Sequence, residues 1–396
     1  MRRRSFSPAL LAAIAGMLAM ATVMGIGRFV YTPILPSMIA SGTLDASEAG
    51  LVAGFNYLGY LLGALAASAG FFAPRRRAWF FMALAGSVAT TAAMALADDM
   101  AAMIVLRFLS GVASAFSMIF ITAIVLSKLA AERREGLIAM HFGGVGAGIA
   151  GSAVVVSAMV AAEIPWREIW FASGLVSALF FFLVAWLLPP TERETASLRG
   201  GGNTESSSVR LPLALLIVSY GLFGFGYVIT ATFINAMAKS QPELASVEPY
   251  VWIALGLAGI PSVWFWNRVT AWLGVLGTYM LACIAEAFGV ALSVTVLSPV
   301  ALMVSAVLLG GTFIAITSLG LARARLMAPA NPAGAIALMT ASFGLGQVIG
   351  PVIAGWLFEE LGNLVLASWI AAAALVASAL FALVVRYILR ATPHAG

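Results

Sequence analysis

Apolar runs of about 20 residues recur from one end of the chain to the other, separated by short polar clusters. Each run is long enough to cross a hydrocarbon core of about 30 Å as a helix. The runs fall near 9–39, 48–72, 78–97, 101–127, 137–161, 167–188, 212–238, 248–266, 273–297, 299–321, 334–357 and 363–386. They are continuous rather than alternating, which excludes a membrane β-barrel, whose strands alternate polar and apolar positions. The pattern predicts an all-α polytopic membrane protein with twelve spans, and an even count places both termini on one side of the membrane.

The charges fit that count. One set of inter-span segments holds Arg2, Arg3, Arg4, Arg75, Arg76, Arg77, Lys128, Arg133, Arg134, Arg193, Arg199, Arg210, Arg268, Arg323, Arg325, Arg386 and Arg390, which is 17 of the 21 basic residues. The opposite set holds only Arg167 and Lys239; Arg28 and Arg107 fall inside spans. The positive-inside rule then places both termini in the cytoplasm. The net charge of +5 is thus a topology signal and does not indicate nucleic acid.

Composition narrows the class further. The chain is 62% hydrophobic and 9% charged, which no soluble surface tolerates. A single cysteine, Cys283, excludes an internal disulfide, and only two histidines, His141 and His394, leave no Cys/His zinc cluster. No P-loop and no catalytic triad are present, so no cofactor and no enzymatic reaction are expected. The start, MRRRSFSPALLAAIAGMLAMATVMG, imitates a signal peptide, but its apolar run continues to Ile39, too far for a signal h-region.

The polar stretch PPTERETASLRGGGNTESSSVR, 189–210, reads as a flexible cytoplasmic linker between residues 1–188 and 211–396. The two parts repeat. GIGRFVYTPILPSM (25–38) aligns with GFGYVITATFINAM (224–237), FGGVGAG (142–148) with FGLGQVIG (343–350), and Gly111 with Gly311. Two six-helix halves related in this way are the plan of the major facilitator superfamily (MFS), where substrate binds between the halves near the midplane. The segments GIGRFVYTP, NYLGYLLGAL, RFLSGVASA, HFGGVGAGIAGS, GFGYVITATF, GGTFIAITSLGLARAR and MTASFGLGQVIGP together resemble the YbfB/YjiJ-type transporters of that superfamily, from about residue 20 to residue 360. The resemblance implies an MFS fold of two pseudo-symmetric six-helix bundles and a permease of the bacterial inner membrane. The superfamily's acidic residue between spans 2 and 3 is missing from GALAASAGFFAPRRR (63–77).

Candidate chemistry gathers on a few polar residues. GAGIAG (146–151) matches a dinucleotide fingerprint but lies inside an apolar helix with no preceding strand. Gly144 and Gly148, like Gly25, Gly27, Gly224, Gly226 and Pro351, are instead expected at close helix contacts or gates. An arginine inside a span costs about 2.5–3.5 kcal/mol and normally faces a cavity or a partner. Arg28 and Arg107 are expected at similar depth beside the central cavity, with no acid deep in the N-terminal spans to neutralise them. A planar guanidinium fork suits a carboxylate or phosphate. Tyr31, Asn56, Tyr57, Tyr60, Tyr227, Asn235 and Gln347 are the neutral candidates for the same cavity. Glu286, deep in span 9, and His141, which opens span 5 near the cytoplasm, are candidates for carrying a coupling proton.

The sequence therefore points to a proton-coupled, alternating-access transporter of a small organic anion, embedded in lipid. A multidrug or neutral-solute exporter and a non-transporting sensor or scaffold are the alternatives. The oligomeric state is left open, a monomer being compatible with the pattern.

Overall fold

The computed structural model describes residues 7–68, 70–188, 211–329 and 331–391. The linker 189–210, Arg2, Arg3, Arg4 and His394 lie outside the described residues. Among those described there are α, π and 3-10 helices and no strand. The N-terminal part contains α1 (Pro8–Met20), α2 (Tyr31–Ala40), α3 (Ala46–Ala67), α4 (Arg76–Ala93), α5 (Met100–Ala131), α6 (Ile138–Ala161) and α7 (Trp166–Leu187). The C-terminal part contains α8 (Leu211–Ser240), α9 (Glu248–Thr295), α10 (Pro299–Met327), α11 (Pro332–Leu361) and α12 (Val365–Ala391).

The ends of these helices follow from local sequence. Ser7 caps α1 with Pro8 behind it, and Asp45 and Glu48 form a reciprocal capping box on α3. Ser298 before Pro299 and Asn331 before Pro332 start α10 and α11 in the same way. Gly362, with φ of 68°, ends α11 in the left-handed region where a side chain would be strained.

Eleven helices among the described residues are long and apolar enough to cross a membrane. Two of the expected spans, 248–266 and 273–297, are not separated by a loop. They run together as the 48-residue α9, interrupted at Gly274 (φ 70°, ψ 168°). An unbroken helix of that length would extend about 72 Å, more than twice a hydrocarbon core. The polar residues expected to form a loop, Asn267 to Thr270, stay helical, and a single glycine turns the chain.

The first span departs further from the uniform helix expected over 9–39. After α1, residues Ala21–Ile26 form a π-helix, residues 27–30 turn, and α2 resumes at Tyr31. The amide of Gly27 donates to Thr22 O and that of Phe29 to Met24 O, one residue farther back than in an α-helix. Pro33 lies just past this break, its ring unable to accept a helical carbonyl at Phe29 four residues earlier, whereas Pro36 is accommodated inside α2. This first span is also the most enclosed: 72% of its most apolar window is buried, against 28% for the α4 span. It lies at the centre of the molecule, and α4 lies at the edge.

Among the described residues the two parts of the chain meet chiefly where α3 packs on α11, α6 on α9 and α2 on α8. A Cβ placed on Gly50 of α3 would lie 2.3 Å from Pro351 O of α11. One on Gly256 of α9 would lie 2.3 Å from Ala150 N of α6. Between α2 and α8, Thr32 Oγ1 donates to Ala231 O at 2.8 Å. Small residues let these backbones touch without side chains between them. The glycines singled out in the sequence mostly serve contacts inside one part: Gly25 packs on Gly148, Gly27 on Ser87, Gly144 on Met17, Gly224 on Phe343, and Gly226 on Leu375. Pro351, through its carbonyl, is the exception.

The repeat also needs a one-residue correction. Gly111 lies where a Cβ would come 2.0 Å from Asn56 O; its structural counterpart is Gly310, where a Cβ would come 2.0 Å from Leu255 O. Gly311, the residue expected from the alignment, has open space beside it. Both Asn56 to Leu255 and Gly111 to Gly310 are steps of 199, as are Gly25 to Gly224 and Arg28 to Tyr227.

Candidate functional site

Arg28 emerges from the break in the first span, between the π-helix and α2, and is 3% exposed. Its Nη2 donates to Gln347 Oε1 of α11 at 2.8 Å. The bond therefore joins the two parts of the chain. Gln347 Nε2 in turn donates to the Tyr227 hydroxyl of α8. The guanidinium carbon lies 4.0 Å from the Tyr60 ring centre and 4.6 Å from that of Tyr57, both on α3. Ring faces at these distances stabilise a buried cation by about 0.5–2 kcal/mol each. No carboxylate bonds to Arg28 among the described residues, and its Nε, fully buried, meets no acceptor there.

Tyr227 belongs to a wall of aromatic rings. It lies nearly parallel to Phe313 of α10 (9° between planes, centres 5.7 Å apart) and to Phe343 of α11 (7°, 5.8 Å). Phe223 and Tyr220 extend the wall along α8, each stacked on Phe343. Phe313 and Phe343 escaped the sequence reading, although both lie in the quoted motifs. The signal for Phe343 was its spacing: four residues before Gln347, on the same helix face.

Arg107 does not share this site. Its Nη1 donates to Gly27 O at 2.9 Å and its Nη2 to Arg28 O at 2.9 Å. Ser110 Oγ adds a bond to Gly27 O at 3.0 Å, and Ser114 Oγ shares its proton between Val23 O at 2.9 Å and Ser110 O of its own helix at 2.8 Å. These are the carbonyls that the break in the first span leaves without helical partners. Three side chains on one face of α5 satisfy them, as buried backbone groups require. The expectation of two free cations at matching depth is thus corrected: Arg107 is spent on backbone, and Ser110 and Ser114 were missed beside it.

The remaining candidates divide by position. Tyr31 lies under the Arg107 guanidinium, 5.1 Å from ring centre, and its hydroxyl donates to Ala49 O. Asn56 Nδ2 donates to Arg107 O at 2.8 Å, fixing α3 to α5. Asn235 Nδ2 donates to Glu248 Oε1 at 2.8 Å, near the far end of α8. Arg28, Tyr57, Tyr60, Tyr227 and Gln347 come together; Tyr31, Asn56 and Asn235 hold helices to one another.

Neither proton candidate touches Arg28. Glu286 is fully buried in the second part of α9, near Thr312 of α10 and Cys283. His141 was expected at a helix end near the cytoplasm. It lies in the first turn of α6 but is fully buried rather than facing the loop, its Nε2 3.0 Å from Thr122 Oγ1 and its Nδ1 facing Gly16. The small size of Gly16 in α1 makes the room that draws the imidazole inward.

A central broken helix, two sets of helices in contact through glycines and a buried polar link between them define a multi-pass membrane transporter fold. The chain belongs to the family described as "Uncharacterised MFS-type transporter YbfB", which it matches over residues 20–383. It is also 29% identical to the "Gallate transporter" of Pseudomonas putida over 168 residues, 41% of this chain. That match spans 36% of the gallate transporter's length. Two crystal structures of the nucleoside transporter NupG share the fold. One, of a point mutant, has a TM-score of 0.73 at 17% identity, covering 97% of this chain and 99% of that one. The other has a TM-score of 0.70 at 16% identity, covering 98% and 99%.

Proposed function

We propose that this protein is a proton-coupled secondary transporter of a small organic anion in the bacterial inner membrane. Its twelve crossings are the broken first span, nine further spans and α9 counted twice, divided at Gly274. Both termini face the cytoplasm, and residues 1–188 and 211–396 form two bundles joined by the linker 189–210. The bundles rock about the glycine contacts, exposing the Arg28 group to each side in turn.

One observation carries the substrate class. Arg28 is a buried cation that donates to a neutral amide from the opposite part of the chain and, among the described residues, has no carboxylate partner. A permanent positive charge at such a position is costly without an anion. The near-parallel rings of Tyr227, Phe313 and Phe343 supply an apolar face beside it. A charged head on a flat body fits both features, and the gallate transporter among the relatives is consistent with an aromatic acid. The ring wall alone suits a second reading, export of neutral aromatic solutes.

Purified protein in proteoliposomes tests the choice. Under an imposed proton gradient, gallate uptake in excess of that into protein-free liposomes is expected, and no such excess is expected for neutral phenol analogues. Transport of the neutral analogues alone would replace the anion reading with the second one. Glu286→Gln addresses coupling: gradient-driven accumulation should disappear while gallate exchange at equal concentrations on both sides persists. Unchanged accumulation would remove Glu286 from the proton path.

A further inference from the structure

We infer that Gln347 is a placeholder for the substrate: its amide oxygen occupies part of the position on Arg28 that the substrate's carboxylate takes. This rests on the organic-anion reading above.

The orientation of the amide is set by its two neighbours. Gln347 Oε1 accepts from Arg28 Nη2, and Gln347 Nε2 donates to the Tyr227 hydroxyl. Turning the amide over would set its NH2 against the guanidinium, donor against donor. The oxygen must face the cation.

The placeholder fills only half of the receptor. Nε and Nη2 form one edge of a guanidinium, and a carboxylate engages such an edge with two parallel bonds. Gln347 has one oxygen. It takes Nη2 and leaves Nε buried without an acceptor. A carboxylate satisfies both positions and carries a full charge, and charge-assisted bonds are roughly twice as strong as neutral ones. The amide therefore yields to an incoming anion and is not displaced by a neutral molecule.

Displacement also releases a donor and an acceptor for the ligand. Gln347 Nε2, and the Tyr227 hydroxyl oxygen that accepts from it, come free to bind a second polar group on the ring of an aromatic acid. The link between the two parts then runs from Arg28 through the anion to Gln347 and Tyr227. Without ligand the amide closes that link directly, so the empty carrier can change orientation with its cation covered.

The test is a pair of variants read by thermal unfolding of the purified full-length protein, with gallate and benzoate as probes. Gln347→Glu places a resident carboxylate on the fork. It is expected to raise the unfolding temperature without ligand, to abolish the ligand-induced shift, and to lower gallate uptake by at least about tenfold. Gln347→Ala removes the competitor. It is expected to lower the unfolding temperature without ligand, and to give its shift at a gallate concentration several-fold below wild type. If Gln347→Glu responds to gallate like wild type, or if Gln347→Ala loses the response altogether, the placeholder is overturned while the anion site stands. A wild type that neither probe shifts overturns the anion reading and the placeholder with it.

Discussion

The first span and α8 are the same segment of the repeat, yet one is broken and the other is a continuous helix of 30 residues. At the constant step of 199, Pro33 and Pro36 correspond to Thr232 and Asn235. Pro33 favours the break in the first span; Thr232 keeps its amide and returns its hydroxyl to Val228 O within α8. The consequence reaches the neighbouring helix. Arg107, Ser110 and Ser114 of α5 correspond to Ala306, Leu309 and Phe313 of α10. A broken helix exposes carbonyls and is answered by three donors; a continuous helix exposes none and is answered by apolar side chains. Arg28 stands in the break, and its counterpart Tyr227 stands in the wall of rings. The asymmetry thus gives one side of the central site a cation and the other side a flat apolar face.

Erasing the cation is the most severe way to break this contrast. Arg28→Ala should lower gallate uptake by at least about 100-fold, the scale expected for truncating a buried charged partner. Arg28→Lys should recover little, since an ammonium lacks the planar fork. Next in size is the strap on the broken helix. Arg107→Ala leaves the carbonyl of Arg28 without its donor, at a cost of about 1–3 kcal/mol, while Ser110 still donates to Gly27 O. A lower unfolding temperature and a reduced maximal uptake rate are expected, with Arg107→Lys restoring part of the stability. The mirror substitution Ala306→Arg should also destabilise, because α8 has no freed carbonyls to receive it. Were Ala306→Arg tolerated as well as the wild-type residue, the link between strap and break would be lost. The smallest effect belongs to Ser114→Ala, which removes one bond to Val23 O and should cost about 0.5–1.5 kcal/mol in unfolding measurements.

Much of this was legible in the sequence, and the reasons for the rest are physical. Apolar runs and the distribution of arginines depend on the bilayer, which acts on every residue of a span, so spans and the repeat could be read directly. Arg28 stood out because a charge in a span is costly. Arg107 stood out for the same reason, but cost does not say whether carbonyls or a ligand compensate. That depends on the break in the first span, a local event created by Pro33 acting on a helix that is otherwise apolar throughout. Gly274 was hidden differently: the polar residues before it resemble a loop, and only backbone angles locate the turn. The pairing of Gly111 with Gly310 rather than Gly311 shows the same limit, since two adjacent glycines read alike until one of them meets a backbone.

The central claim is that the cation in the broken helix receives the substrate. Gradient-driven uptake of labelled gallate into proteoliposomes, comparing wild type with Arg28→Ala at equal protein incorporation, tests it most directly. Uptake by the wild type and its near-complete loss in Arg28→Ala is the expected result. Uptake by Arg28→Ala at the wild-type rate would contradict the claim.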